Sequence, residues 1–332
     1  MFRAREIIAI CVLLSSAPPV AGEVREDGFV LSSEQWRPAA ASFEEFVSQR
    51  VSAPKLDPRD PDIKATWFSE KAPKQFDSLR DQDDIVAERI TYASEGLAID
   101  GYRIAPRESG GRCPVVVWGR GGNRGDGVIS EWDLIDLAGW ARRGWVVIAS
   151  NYRGAPRSEG SDEFGGADFA DQLNAIAVAR TVPCADMRNV FMFGRSRGGL
   201  MTYRAIAAGA PVRAAATIGG AADLSEAARD RPDLAPALCQ IMPDYEEEAA
   251  NRFCQRSAVC WPEKITVPLL LMHGQQDWRV PTKVGLDFAQ ALQRAGRPYE
   301  LRVYWGEDHQ LSGMRDEAHA TARAFFERHM AE

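Results

Sequence analysis

The hydrophobic positions of this chain fall into short continuous runs that alternate with stretches of helical periodicity. Six apolar runs, each bounded by glycine, proline or polar residues, cover positions 113–119, 145–154, 189–194, 213–220, 267–274 and 299–306. Apolar residues recur every three or four positions in the intervening stretches 131–144, 167–181, 198–209, 283–296 and 316–330. This alternation is typical of a mostly parallel sheet covered by helices on both faces. The pattern therefore predicts an α/β fold.

The chain divides into regions of different composition. Residues 23–83 are polar and interrupted by prolines, and they predict an N-terminal arm with one short helix near 41–50. Residues 84–332 form the predicted main domain, which opens with a β-hairpin turning at Ser94–Gly96. Residues 221–264 are an insert that we expect to lie over the carboxyl ends of the strands, where ligands bind in such sheets.

The first 22 residues have the layout of a secretory signal. Arg3 and Arg5 precede an apolar stretch, Ile7–Leu14, which is followed by small residues and prolines. This stretch is too short to span a bilayer, and the alternative is a buried or interfacial first helix. We expect cleavage after Ala21 or Gly22 and a secreted or periplasmic protein, with no membrane span once the signal is removed.

The overall charge and composition limit the classes of partner. The net charge is −7, which argues against a nucleic-acid binder because neutralising phosphates requires a basic surface. The chain is 45% hydrophobic and 26% charged, as in ordinary globular proteins. We expect a small-molecule or peptide substrate, and the sequence leaves the oligomeric state open.

One serine lies at a predicted junction between a strand and a helix. The sequence NVFMFGRSRGGLM (189–201) contains Gly194, Ser196 and Gly198 in the spacing G-x-S-x-G. At such a junction the serine occupies a sharp, strained turn that exposes its hydroxyl above the sheet, and the glycines allow close packing of helix and strand. The spacing favours a nucleophilic Ser196 over an ordinary turn serine.

A nucleophilic serine needs a base and a carboxylate, which follow it in the order Ser, Asp, His in folds of this kind. Of the four histidines, His309 lies in a glycine-bearing loop after the last strand, YWGEDHQLSG (304–313). His273 directly precedes a glycine at a strand end, and two others lie in the closing helix. We therefore predict His309 as base and Asp277 as orienting acid, with Asp308 as the competing carboxylate.

Catalysis at a carbonyl also requires hydrogen-bond donors for the developing oxyanion. One predicted donor is the backbone N–H of Arg197, which follows the serine. The other is expected from the glycine-rich loop after the strand at 113–119, at Arg120 or Gly121. A phosphate-binding loop is the alternative, but the required lysine followed by serine or threonine is missing.

From about Ile85 to the C-terminus, the sequence resembles the catalytic domain of the prolyl oligopeptidase family of serine peptidases, in the α/β-hydrolase superfamily. The resemblance rests on four segments in the expected order: NYRGAPRSEGSDEF with GGADFADQLNAI, then GRSRGG, VPLLLMHGQQDWRVP and YWGEDHQLSG. It implies an α/β-hydrolase fold and an acyl-enzyme mechanism through Ser196, Asp277 and His309. No metal or cofactor is implied.

The sequence departs from that family in three respects. The 23–83 arm is too short for the β-propeller that usually restricts substrate size, Arg120 stands where the family tends to have tyrosine or histidine, and Arg197 replaces a frequent aromatic. An acyl esterase, or a non-catalytic binding protein on the same fold, therefore remain alternatives. Arg120 and Arg197 are candidate ligands for an anionic substrate group, against the alternative that the arginines of these loops, among them Arg153 and Arg195, are structural.

The same fold allows the cysteines to be placed. Cys113 and Cys184 precede two strands expected to be neighbours, and we predict a disulfide between them. A second disulfide is expected between two of Cys239, Cys254 and Cys260 in the insert. Their spacing does not match a zinc site.

Overall fold

A computed structural model describes residues 26–55, 57–231, 233–242 and 245–331. The predicted signal segment, 1–22, lies outside these residues. The described residues form one sheet of nine strands. The strands are β1 (Val30–Gln35), β2 (Ile85–Ser94), β3 (Leu97–Pro106), β4 (Cys113–Gly119), β5 (Val146–Ser150), β6 (Ala185–Arg195), β7 (Ala214–Ile218), β8 (Leu269–Gly274) and β9 (Tyr299–Tyr304).

The sheet is mixed, and the predicted site residues follow strands in its parallel part. The strand order is β1-β2-β3-β5-β4-β6-β7-β8-β9. All neighbours from β5 to β9 are parallel, whereas β1, β2 and β3 are antiparallel and include the predicted hairpin. The predicted α/β-hydrolase fold is confirmed. Because β6, β8 and β9 are parallel to one another, the segments that follow them emerge at the same edge.

Ten α-helices connect or flank these strands in the described part of the chain. They are α1 (Phe43–Ser52), α2 (Ala72–Asp81), α3 (Glu131–Ala141), α4 (Phe169–Val178), α5 (Arg197–Ala207), α6 (Leu224–Asp230), α7 (Leu234–Ile241), α8 (Tyr245–Arg256), α9 (Thr282–Arg294) and α10 (Arg315–Glu327). Helix α3 begins with a capping box, in which Ser130 and Asp133 satisfy each other's backbone N–H groups. None of the helices among the described residues has the length and apolar character needed to cross a bilayer.

The hydrophobic core has two halves, one on each face of the sheet. Val115 and Val117 of β4 point into one half with residues of α4, α5 and α9, and Val116 points into the other with residues of α2, α3 and α10. Successive side chains of a strand point to opposite faces, so a strand covered on both faces is apolar throughout. This explains the continuous apolar runs of the sequence.

Residues before β2 contribute to the fold in two ways. Strand β1 adds to the edge of the sheet beside β2. Helices α1 and α2 pack against the second half of the core through Phe46, Phe76 and Leu79. The chain between these two helices, 53–71, includes residues that reach the carboxyl edge of the sheet, as described below.

The predicted Cys113–Cys184 pairing is present, and so is a second disulfide in the insert, whose pairing the sequence left open. Cys113, at the start of β4, is joined to Cys184, directly before β6. Their backbones also approach at this point, because Cys113 N–H donates to the carbonyl of Cys184 at 2.6 Å. Cys254 is joined to Cys260 in the insert, and Cys239 is exposed on α7, outside both disulfides.

Candidate active site

Ser196 lies in the sharp turn between β6 and α5. Its backbone has φ 57° and ψ −123°, a conformation that non-glycine residues rarely adopt and that is typical of strained functional turns. A Cβ on Gly194 would lie 2.2 Å from the carbonyl oxygen of Gly198, and a Cβ on Gly198 would lie 2.0 Å from that of Gly119. Both flanking glycines are therefore required for the backbones to approach.

His309 and Asp277 form a hydrogen-bonded pair at the same edge of the sheet. His309 Nδ1 lies 2.7 Å from Asp277 Oδ2. The other carboxylate oxygen of Asp277 accepts from the backbone N–H groups of Arg279 and Val280, at 2.9 and 2.8 Å. Both side chains are almost fully buried. The loop after β8 thus fixes the carboxylate, and the carboxylate orients the imidazole.

The competing carboxylate, Asp308, has a different role. Its oxygens accept from the backbone N–H groups of Gln310 and Ser312 and from the Ser312 hydroxyl. Asp308 therefore stabilises the turn that carries His309, and the pairing with the imidazole belongs to Asp277.

The remaining three histidines lie away from this pair or beneath it. His319 is buried and accepts a hydrogen bond from the indole N–H of Trp140 at 2.9 Å. His329 Nδ1 lies 2.8 Å from the carbonyl oxygen of Phe325 at the end of α10. His273 is buried in β8, where burial lowers its pKa to about 4.

Ser196 and His309 line one cavity of about 360 Å³. Gly219, with φ +53°, packs beneath the histidine, where a Cβ would lie 2.9 Å from both Asp277 Oδ2 and His309 Nδ1. Segments from the arm, the insert and the loops after β4, β6, β8 and β9 surround this cavity. Its charged and apolar lining includes Asp57, Asp60, Asp126, Arg195, Arg231, Arg279, Phe164, Leu224, Leu234 and Val280.

The two backbone segments expected to supply oxyanion donors lie beside Ser196. Arg197 is the first residue of α5, where helical N–H groups have no partner within the helix. A Cβ on Gly121 would lie 3.0 Å from Ser196 Cβ and 3.6 Å from its Oγ, so the loop after β4 lies directly against the hydroxyl. Gly121 and Arg197 thus both adjoin Ser196, and their role as oxyanion donors stays a prediction.

The prediction that the side chain of Arg120 binds an anionic substrate group is wrong. The Arg120 side chain is fully buried, and its guanidinium donates to the backbone carbonyls of Asn151, Gly121, Asp126 and Arg124. Burial lowers its pKa to about 10. The side chain holds the loop after β4 in place from below, out of reach of a ligand.

The same prediction for the side chain of Arg197 is also wrong. It is 1% exposed and forms ion pairs with Asp162, at 2.7 Å, and with Asp168. It also donates to the carbonyl of Gly122 at 2.9 Å. The guanidinium is buried beside two carboxylates, so it is not available to a substrate anion.

The alternative that the arginines are structural is correct for two further residues. Arg195 pairs with Asp133 at the start of α3, at 2.7 Å. Arg153 pairs with the buried Asp171 at 2.7 Å and with Glu95 at 2.8 Å, which joins three segments.

Sequence reasoning missed the part of the cavity that the arm supplies. Arg279, two residues after Asp277, forms a bidentate ion pair with Asp60 of the arm, with distances of 3.0 and 2.6 Å. The guanidinium of Arg59 stacks on Trp278, 3.8 Å from the ring centroid. Asp60 and Arg279 are 219 residues apart in the sequence, and no local periodicity predicts a contact between residues so far apart.

No cluster of three metal-ligating side chains occurs in the part of the chain that the structure describes.

Models of two protein families match parts of this chain. The model of the prolyl oligopeptidase family matches residues 133–332, which include both the serine turn and the Asp277–His309 pair. The chain belongs to the prolyl oligopeptidase family. A second model, of the X-Pro dipeptidyl-peptidase (S15) family, matches residues 27–231. The resemblance predicted from the sequence motifs is confirmed.

Individual relatives of this prolyl oligopeptidase family member differ in length. It is 28% identical over 216 residues to the uncharacterized peptidase YtmA of Bacillus subtilis, covering 65% of this chain and 82% of that protein. It is 28% identical over 244 residues to the human acylamino-acid-releasing enzyme, covering 68% of this chain and 32% of that enzyme. The chain thus spans about a third of the length of that longer relative.

Solved structures support the same fold. The acylaminoacyl peptidase of Pyrococcus horikoshii superposes with a TM-score of 0.64 at 23% identity, covering 75% of this chain and 42% of that one. A puromycin-hydrolyzing peptidase of Mycobacterium tuberculosis superposes with a TM-score of 0.62 at 22% identity, covering 74% of this chain and 40% of that one. At this level of identity the likeness concerns the fold.

Proposed function

We propose that this protein is an exported serine peptidase in which Ser196 is the nucleophile, His309 the general base and Asp277 the orienting acid. The observation that carries the proposal is the 2.7 Å contact between His309 and Asp277 on a cavity that Ser196 also lines. The two disulfides support export, because such bonds persist in oxidising compartments.

The residues would act in the following order. Ser196 Oγ attacks the substrate carbonyl while His309 Nε2 takes its proton, and Asp277 stabilises the imidazolium that forms. The backbone N–H groups of Arg197 and Gly121 donate to the oxyanion. His309 then protonates the leaving group, and water hydrolyses the acyl-enzyme by the same proton transfers in reverse.

The bond cleaved is proposed to be the amide that follows an N-acylated or peptidyl amino acid residue. The human relative is named as an acylamino-acid-releasing enzyme, and the Pyrococcus structure as an acylaminoacyl peptidase. An esterase is the second candidate. The observation that favours it is that a short arm, through Asp57 and Asp60, lines the cavity where the peptidases of the family usually carry a β-propeller. Hydrolysis of an ester depends less on protonation of the leaving group than hydrolysis of an amide does, but it requires the same nucleophile.

A fluorophosphonate probe tests the nucleophile, and a substrate panel tests the reaction class. We expect the probe to label the wild type but not Ser196→Ala, with both proteins folded by circular dichroism. Absence of labelling on folded wild type would instead support a binding protein that retains the fold. Peptidyl and acylaminoacyl anilides compared with p-nitrophenyl esters then separate the peptidase, which turns over both groups, from the esterase, which turns over esters alone.

A further inference from the structure

A second cavity, of about 200 Å³, meets the catalytic cavity at His309. The two cavities share Asp60, His309 and Gln310, whereas Ser196 lines only the first. Three tryptophans line the second cavity, namely Trp67, Trp132 and Trp278. We call it the tryptophan cavity.

The arm and the main domain form opposite walls of the tryptophan cavity. The arm supplies residues between Arg50 and Trp67. The main domain supplies Trp132 of α3, Trp278 of the loop after β8, and four residues of the loop after β9, namely Asp308, His309, Gln310 and Ser312. Apolar arm residues, among them Val51, Pro54, Pro61 and Ile63, complete the apolar half of the lining. The other half of the lining is polar or charged, and includes Arg50, Lys55, Asp62 and Gln310. The cavity thus combines aromatic surface with polar groups that can orient a ligand.

The two walls are joined by specific contacts rather than by loose packing. Asp60 receives two hydrogen bonds from Arg279, and Arg59 stacks on Trp278. Trp132 packs against Phe68, with ring centroids 4.7 Å apart. The rings of Trp132 and Trp278 are therefore held in place, as recognition of a rigid ligand group requires.

Among the described residues, the charges of the lining are paired except at Arg50 and at Asp308, which accepts hydrogen bonds from Gln310 and Ser312. Lys55 pairs with Asp62 at 2.9 Å, and Asp60 pairs with Arg279. Within the described residues, the Arg50 side chain forms no ion pair or hydrogen bond, and its Nε is buried. Its guanidinium lies 5.6 Å from the Trp132 centroid, and Asp133 and Glu131 are the carboxylates whose charges reach it. A buried donor without a partner is costly, so the Arg50 guanidinium is suited to pair with an anionic group of a ligand.

The chemistry of acylation indicates which part of a substrate would enter the tryptophan cavity. The histidine of such a site gives its proton to the leaving group when the tetrahedral intermediate collapses. The leaving group must then lie on the side of His309, which is where the tryptophan cavity begins. The acyl group lies toward Ser196 and the oxyanion donors.

We propose that the tryptophan cavity is a leaving-group subsite that binds an aromatic amino acid released with its free carboxylate. The ring of that amino acid packs among the tryptophans, and Arg50 pairs with the carboxylate. The scissile C–N bond breaks, His309 delivers a proton to the nitrogen, and the free amino acid departs before water hydrolyses the acyl-enzyme. This inference rests on the proposed peptidase function and specifies its substrate class.

The experiment compares substrates that share one N-acylated residue and differ only in the leaving group. The leaving groups are phenylalanine, phenylalanine amide and glycine, and the methyl ester of the same acylated residue reports on Ser196 chemistry alone. For the wild type we expect kcat/KM to be at least 10-fold higher for phenylalanine than for either phenylalanine amide or glycine. Each preference is a ratio measured on one preparation, so the fraction of folded enzyme cancels.

Two variants test which residue is responsible for each of the two preferences. Arg50→Gln is expected to bring the ratio of phenylalanine to phenylalanine amide close to 1, and Trp67→Ala is expected to do the same for the ratio of phenylalanine to glycine. Arg112→Gln is the matched control, because Arg112 is an exposed arginine beside Cys113 at the opposite edge of the sheet. It should keep both wild-type ratios.

The outcomes separate this inference from the function on which it rests. A wild type that hydrolyses the methyl ester but shows ratios near 1 overturns the subsite and leaves the nucleophile standing. Retention of the acid-over-amide preference in Arg50→Gln also overturns the subsite. A folded wild type that hydrolyses neither the ester nor the amides overturns the proposed function itself.

Discussion

Arg197 follows the candidate nucleophile in sequence, yet its guanidinium lies 2.7 Å from the carboxylate of Asp162, beneath the loop after β4. Asp168 contacts the same guanidinium, and all three side chains are almost fully buried. The backbone of Arg197 can therefore serve the oxyanion while its side chain fixes the position of that backbone. The residue supports the site from below.

Substitution of Arg197 by alanine is expected to destabilise the protein strongly. The change leaves two buried carboxylates without a cation, which typically costs about 3–5 kcal/mol in the free energy of unfolding. Urea unfolding measures the loss. Arg229→Ala, which removes an exposed ion pair with Glu226, is the control and should cost at most about 1 kcal/mol. A loss for Arg197→Ala that is no larger than the control would contradict the structural role.

The amide variant Asp277→Asn is expected to retain the fold and lose activity. The backbone N–H groups of Arg279 and Val280 still find an oxygen acceptor, which turns the side-chain NH₂ toward His309 and favours the wrong tautomer. In proteases with a serine–histidine–aspartate triad this change lowers kcat by about 10⁴-fold. Steady-state kinetics on an activated ester measure the effect. Asp308→Asn is the comparison, and equal losses in the two variants would refute the choice of Asp277 as orienting acid.

Gly219 offers a way to disturb the catalytic pair without replacing either member. In Gly219→Ala the new Cβ would lie 2.9 Å from both Asp277 Oδ2 and His309 Nδ1, so the imidazole must shift. Displacement of a catalytic group by about 1 Å can cost on the order of 100-fold in rate, and we expect a loss of that size in kcat. Gly209→Ala is the control, because Gly209 also has positive φ but open space around it. If both variants lose activity equally, backbone strain rather than contact with the pair is the cause.

The parallel strands and the three candidate residues could be predicted because their signals are local. Val115, Val116 and Val117 are buried on two faces of one sheet, so the strand is a continuous apolar run in the sequence. Ser196 and His309 each follow such a strand. Since parallel strands end at one edge, their order along the chain was sufficient to bring them together.

The remaining features depend on contacts that sequence patterns do not encode. Strand β1, of sequence VLSSEQ, lies at the sheet edge with four exposed positions, so it has no apolar periodicity. The position of an arginine in a loop gives its charge but not its partner, and Asp162 lies 35 residues before Arg197. The tryptophan cavity likewise needs the arm to fold back onto the loop after β8, which only the packed structure reveals.

The two disulfides are expected to contribute unequally to stability. The Cys113–Cys184 bond closes a loop with a sequence separation of 71, whereas that of Cys254–Cys260 is 6. In the chain-entropy description a longer loop gives more stabilisation, about 4 kcal/mol for a loop near 70 residues. The double variant Cys113→Ser/Cys184→Ser should therefore lower the free energy of unfolding more than Cys254→Ser/Cys260→Ser does. Urea unfolding of both variants measures the two losses. A larger loss in the free energy of unfolding for Cys254→Ser/Cys260→Ser would contradict this expectation.

His273 is expected to make the folded state sensitive to mild acid. Burial lowers its pKa to about 4, whereas an unfolded chain takes up the proton near 6.5. The unfolded state therefore binds more protons between these values, so the free energy of unfolding is greatest above pH 6.5 and falls as the pH drops toward 4. The difference corresponds to roughly 3 kcal/mol.

The pH dependence attributable to His273 can be isolated by substitution. We expect His273→Gln to show a shallower decline in the free energy of unfolding between pH 7 and pH 4.5 than the wild type, because glutamine does not titrate. Carboxylates titrate in both proteins, so their contribution cancels in the comparison. Burial also lowers the pKa of His319 well below its ordinary value, so His319→Gln provides a second measurement in the same direction. Parallel curves for the wild type and both variants would show that neither imidazole is held neutral by the fold.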